Sequence, residues 1–131
     1  MTDLDQPFVP ATRRLTDLER ADRKLTEREF QGLVTELAGL MGYRWVHFRA
    51  ARTDRGWRVP VEGPLGAGWP DLVLVSPHKR RTLAVELKRE IAGPPTPDQE
   101  YVHLMLRESG WTVFVWRPSD LTSGRIQEAL S

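Results

Sequence analysis

Two apolar runs, Leu72-Val73-Leu74-Val75 and Leu83-Ala84-Val85, are separated only by Ser76-Pro77-His78-Lys79-Arg80-Arg81. Short β-forming runs on either side of a polar, proline-containing break predict an antiparallel hairpin. This prediction constrains the chain strongly, because the two-residue period of a strand decides which side chains share a face. With the turn centred between His78 and Lys79, Asp71 falls directly opposite Glu86, and directly paired residues project to one side of the sheet. Lys88 joins that face, while Leu87 points to the other. Two carboxylates and an ammonium are thereby gathered at the open end of the hairpin.

A carboxylate pair within ligand reach suits a hard cation such as Mg²⁺, which prefers oxygen donors and keeps several waters. A neighbouring lysine then orients a water or steadies charge on a phosphate, the apparatus of metal-assisted phosphodiester hydrolysis. Glu-x-Lys alone is common by chance. Its combination with Pro70-Asp71 at the start of the preceding strand is far more specific.

The segment before the hairpin begins with Thr26-Glu27-Arg28-Glu29, which matches a capping box with Thr26 as cap and Glu29 three residues on. Phe30, Leu33, Val34, Leu37, Leu40 and Met41 follow at the spacing of an amphipathic helix, and Gly42 supplies a stop. Glu27 lies on the Phe30, Gln31 and Val34 side of this helix, at the end of the stripe facing the sheet. Glu29 lies elsewhere and is committed to capping. Glu27 is therefore the candidate third acid, against a plain helix-dipole role in the first turn.

Residues 44–49 read as a strand. From there to Pro64 the chain is a loop or ragged hairpin carrying Arg49, Arg52, Arg55, Trp57 and Arg58, with only Asp54 and Glu62 acidic. Such a basic stretch holds a nucleic-acid backbone, and Trp57 can stack or wedge; the plainer alternative is a solvated loop. Lys79, Arg80 and Arg81 in the hairpin turn extend the same idea. After Lys88 a proline-rich loop leads to a helix from Pro97 to about Ser109, with Gly110 as its stop and His103 as a structural residue. Trp111 to Trp116 is a buried strand, followed by a short terminal helix reaching Leu130. Trp45, Trp111 and Trp116 read as core.

At this point the chain resembles the PD-(D/E)XK nuclease superfamily, and within it the VRR-NUC branch. The residues that carry the resemblance are Gly68-Trp69-Pro70-Asp71-Leu72, Glu86-Leu87-Lys88 and Gln99 opening a helix. Glu27 and Gln31 match the spacing of a glutamate and a glutamine in the family's first helix. The resemblance spans about Thr26 to Pro118. It implies a restriction-endonuclease-like α/β core, a central mixed β-sheet flanked by helices, and cleavage of DNA with Mg²⁺ or Mn²⁺. On this resemblance Asp71, Glu86 and the Leu87 backbone carbonyl are metal ligands, with Glu27 holding one of the ion's waters. Lys88 positions the attacking water or stabilises the transition state, and Gln99 contacts Lys88, a water or the phosphate. It also implies likeness to Holliday-junction resolvases, hence a homodimer acting on branched DNA.

Composition is compatible with this and excludes other classes. At 131 residues with 40% apolar content there is room for one modest core. The formal net charge of +1 means that any DNA grip must come from local patches. The absence of cysteine excludes disulfides, thiolate metal sites and a cysteine nucleophile. No histidine pair and no phosphate-binding Gly-rich loop is present. Lacking a signal-peptide pattern or long apolar run, the chain is expected to be intracellular, on the nucleoid when bound to DNA. Residues 1–25 form a polar arm, docked on the domain or on a partner protein, and residues 26–131 the nuclease-like domain. Two alternatives stand beside an endonuclease: a catalytically silent DNA-binding or nuclease-recruiting module on the same scaffold, and a monomeric nicking enzyme.

Overall fold

The first three helices begin just after a threonine cap. In the computed structural model, which describes residues 14–48, 51–53, 56–58 and 61–131 (51–53 and 56–58 by their backbone alone), Thr16 caps α1 (Asp17–Lys24). Thr26 caps α2 (Glu27–Leu40) with the full capping box: Glu29 N–H donates to Thr26 Oγ1, and Thr26 N–H to Glu29 Oε1. The strands are β1 (Arg44–His47), β2 (Ala51–Thr53), β3 (Gly56–Arg58), β4 (Leu72–Ser76) and β5 (Arg81–Leu87). Then come α3 (Pro97–Glu108), β6 (Thr112–Trp116), α4 (Pro118–Thr122) and α5 (Arg125–Leu130).

One mixed sheet has the order β1-β4-β5-β6, antiparallel except for the parallel β5–β6 pair, which α3 connects. A separate two-stranded ribbon, β2–β3, pairs Ala51 with Arg58 and Arg52 with Trp57. Alternation along the strands sends side chains to two layers. Leu72, Leu74, Leu83, Val85 and Leu87 pack with Phe30, Val34 and Ala38 of α2 and with Ile126 and Leu130 of α5. Ala84 and Val113 face the other way, onto Val102 and Leu106 of α3. Each large side chain so buried contributes about 1.5–3 kcal/mol. The expectation of an α/β core, a mixed sheet flanked by helices, holds.

Two expectations are corrected. Trp45 is 49% exposed rather than core, because β1 is an edge strand of this sheet. The C-terminal helix is two helices, broken where Gly124 takes a left-handed φ of 85°. On α3, Tyr101 and Leu104 are exposed, and the buried face is Val102, His103 and Leu106. The part of the N-terminal arm within the described residues is folded onto the body: α1 packs on α4, where Thr122 Oγ1 donates to the buried Asp22 at 2.6 Å.

Candidate active site

The hairpin register pairs Leu72 with Val85 and Ser76 with Arg81. One step beyond the first pair, Asp71 stands opposite Glu86, as the turn position predicts. Asp71 is pinned from two sides. Its carbonyl accepts from Phe48 N–H at 2.9 Å, and its Oδ2 accepts from Leu87 N–H at 2.8 Å. Glu86, on the α3 side of the sheet, is only 3% exposed. Lys88 follows at the strand's end, where its N–H donates to the carbonyl of Trp116 at 3.0 Å.

Gln99 ties these groups together. It is the third residue of a capping box: its N–H donates to Thr96 Oγ1, and its Oε1 accepts from Thr96 N–H. The same Oε1 accepts from Lys88 Nζ at 3.0 Å, and Nε2 donates to Glu86 Oε1 at 2.9 Å. The first turn of α3 is held where this bridge needs it by Gly68. A Cβ on Gly68 would stand 2.8 Å from Gln99 N and closer still to the Asp98 carbonyl. Those are backbone atoms that cannot swing aside, so only glycine allows the approach.

Glu27 arrives from the opposite layer. Lys79, in the turn, donates to the carbonyl of Met41 just past the end of α2. The start of α2 therefore lies at the other end of the sheet, about 20 Å away at 1.5 Å per residue. There the Glu27 carboxyl is raised above its usual range, first by partial withdrawal from water and then by the Asp71 carboxylate, with Lys88 acting the other way. Glu29 is lowered by its bonds to Thr26, so the two glutamates have separate jobs.

The electrostatics of Glu86 are the most perturbed of the cluster. Burial, then the Asp71 carboxylate, push its carboxyl up to about 9, with Lys88 pulling down and Glu27 adding a little. Its Oε2 is buried without a hydrogen-bond partner. Two acids crowded in this way, one with an unused buried oxygen, are chemically suited to a divalent cation that would supply the missing positive charge. Among the described residues no three His, Cys, Asp or Glu side chains form a metal-binding group. The donors that the cluster offers are the Asp71 and Glu86 carboxylates and nearby backbone oxygen, a set that would fit a hard, partly hydrated ion better than Zn²⁺.

The basic residues divide. Lys79 Nζ donates to the carbonyls of Met41 and Leu130 at 2.8 and 2.7 Å, 5.2 Å above the Tyr43 ring. Arg81 Nη1 donates to the carbonyl of Ala129 at 2.6 Å and to Tyr43 Oη at 3.1 Å. Both hold helix C-termini together. They also lie at the far end of the hairpin from Asp71, roughly 17 Å away at about 3.3 Å per residue. Both therefore spend donors on backbone carbonyls, and of Lys79, Arg80 and Arg81 only Arg80 is exposed. Arg49 and Arg55 lie outside the described residues, as do the side chains of Arg52, Trp57 and Arg58.

His103, expected to be structural, stands beside the cluster with its Nε2 3.9 Å from Glu86 Oε2. Its position one helical turn after Gln99 was the available signal. Burial, then the Arg107 and Lys88 cations, lower its pKa, against the smaller pull of Asp71 and Glu100.

No protein-family model and no curated protein matches this chain. Among solved structures, it is similar to a chain described as "VRR_NUC domain", with 26% sequence identity and a TM-score of 0.48. The match covers 68% of this chain and 81% of that one.

Proposed function

We propose that this protein is a metal-dependent DNA endonuclease of the VRR-NUC type, with Asp71, Glu86 and Lys88 at its centre. The observation that carries the reading is the register that sets Asp71 against Glu86, with Gln99 bridging Glu86 and Lys88. Asp71, Glu86 and the Leu87 carbonyl would hold Mg²⁺ or Mn²⁺, and Glu27 one of its waters. The bound cation supplies Lewis-acid polarisation of the scissile phosphate and acidifies a coordinated water.

The chain's own residues do the rest. Asp71 is oriented by Leu87 N–H and Glu86 by Gln99 Nε2–H, so neither carboxylate must be reorganised during reaction. Lys88 is aimed by Gln99 Oε1 and places an ammonium where negative charge grows on the phosphate. Water oxygen forms the new bond to phosphorus as the bond to the leaving ester oxygen breaks. The attacking water's proton passes to solvent, and the leaving oxygen is protonated from it.

The finer reading is a homodimer acting on branched DNA. One Asp71/Glu86/Lys88 set cuts one strand at a time, and two-fold pairing is the commonest closed symmetry. Asp71→Asn and Glu86→Gln should each abolish Mn²⁺-supported cleavage while preserving the fold and DNA binding. Undiminished cleavage by either variant removes the assignment. Light scattering with and without a four-way junction tests assembly: a monomer in both states that cuts linear duplex equally well removes the resolvase-like part.

A further inference from the structure

On α3, Gln99 and His103 are four residues apart and so share one helix face. Gln99 engages Oε1 of Glu86, and His103 faces the other oxygen. Glu86 Oε2 and His103 Nε2 are both buried and both without a hydrogen-bond partner. The residues are 3% and 2% exposed, so water does not stand in freely for the missing bond. A donor-capable nitrogen and an acceptor oxygen, each unsatisfied and each facing the other at 3.9 Å, are about 1 Å too far apart for an N–H···O bond. Closing that gap would take a shift of about 1 Å between the Glu86 carboxyl and the His103 ring. A residue needed only to fill this space would be apolar, as its neighbours Val102 and Leu106 are.

We propose that His103 is a positioning residue whose Nε2–H holds Glu86 Oε2, so that Gln99 and His103 together fix the plane of the carboxylate that binds the metal ion. The inference rests on the reading of Asp71 and Glu86 as metal ligands. Groups that orient a metal ligand typically alter metal affinity by about 10- to 100-fold when removed. An all-oxygen donor set retains its chemistry, because His103 acts on the ligand and not on the ion.

The test is Mn²⁺ binding to the full chain without DNA, measured by calorimetry, with circular dichroism to confirm folding. His103→Gln keeps an N–H donor near the position of Nε2, whereas His103→Met has similar length and none. His103→Leu serves the same purpose should the methionine variant not fold. Wild type should bind Mn²⁺ and Asp71→Asn should not. The donorless variant should bind about tenfold or more weakly, with His103→Gln recovering most of the loss. Wild-type affinity in the donorless variant makes His103 a packing residue and overturns the inference. Complete loss in both His103 variants, matching Asp71→Asn, makes it a ligand and also overturns it. If wild type itself binds no Mn²⁺, the metal-site reading fails and takes this inference with it.

Discussion

Glu86 titrates near 4.5 when exposed and near 9 in the fold, where burial and the Asp71 carboxylate oppose its ionisation. Between those values the folded state binds a proton that the unfolded chain has released. The metal-free protein should therefore lose stability as pH rises through that window. The contribution is fully present below the unfolded pKa and gone above the folded one. Glu86→Gln removes it, so the melting temperature of wild type minus that of the variant should fall as pH climbs from about 5 to about 9 in chelator. Mn²⁺ should restore the difference if it binds the folded form as proposed, since a ligand that binds only the folded state stabilises it. A difference that stays flat with pH contradicts the crowding of these acids. Lys88 presents the complementary case, since an ammonium cannot be a ligand. Lys88→Ala should cut cleavage by roughly a hundredfold or more while leaving Mn²⁺ affinity nearly intact. Calorimetry showing outright loss of metal with the fold preserved contradicts a charge-stabilising role.

Gly68 and the first turn of α3 work as one element, since the glycine lets the turn come close enough for Gln99 to bridge Glu86 and Lys88. Gly68→Ala should push the helix start outward. The expected cost is about 1–3 kcal/mol from overpacking, together with loss of cleavage although no side chain of the cluster is altered. Normal activity in Gly68→Ala rules out this coupling. On α2 the two first-turn glutamates separate by role. Glu27→Gln should impair cleavage, and Glu29→Gln should lower the melting temperature with little effect on activity; the reverse ranking in activity puts the wrong glutamate at the site. The hairpin and both capping positions on α2 were legible because they depend on neighbours a few residues apart. The pairing of Asp71 with Glu86 follows from strand period and turn position alone. Trp45 was misread because whether a strand is central or at an edge depends on sheet order, which no local pattern carries. His103 was undervalued for a similar reason: its partner lies on another element and is visible only once α3 covers β5.

At the scale of the whole molecule, a net charge of +1 leaves DNA binding to a few local cations, and two of the expected ones are engaged elsewhere. Lys79 and Arg81 bind carbonyls 38 to 51 residues away, joining the end of α2 to the end of α5. A cation at a helix C-terminus satisfies carbonyls that have no partner within the helix and complements the helix dipole. In sequence they looked like solvated turn residues because their acceptors are backbone oxygens, which no residue pattern marks. On the proposed reading the phosphate grip would fall to the basic stretch of residues 49–58, which follows Phe48, whose N–H donates to the Asp71 carbonyl. Lys79→Ala should thus lower stability by about 1.5–3 kcal/mol, the range for hydrogen bonds involving a charged group, and leave DNA affinity unchanged. Replacing Arg52 and Arg58 together by alanine should do the opposite. It should weaken DNA binding regardless of sequence and make the fall of log affinity with log salt shallower, by about 0.9 for each phosphate no longer neutralised. Fluorescence titrations of labelled DNA across a range of salt, beside thermal melts of each variant, separate the two classes. Loss of DNA affinity in Lys79→Ala at full stability would return the hairpin turn to the DNA-binding face.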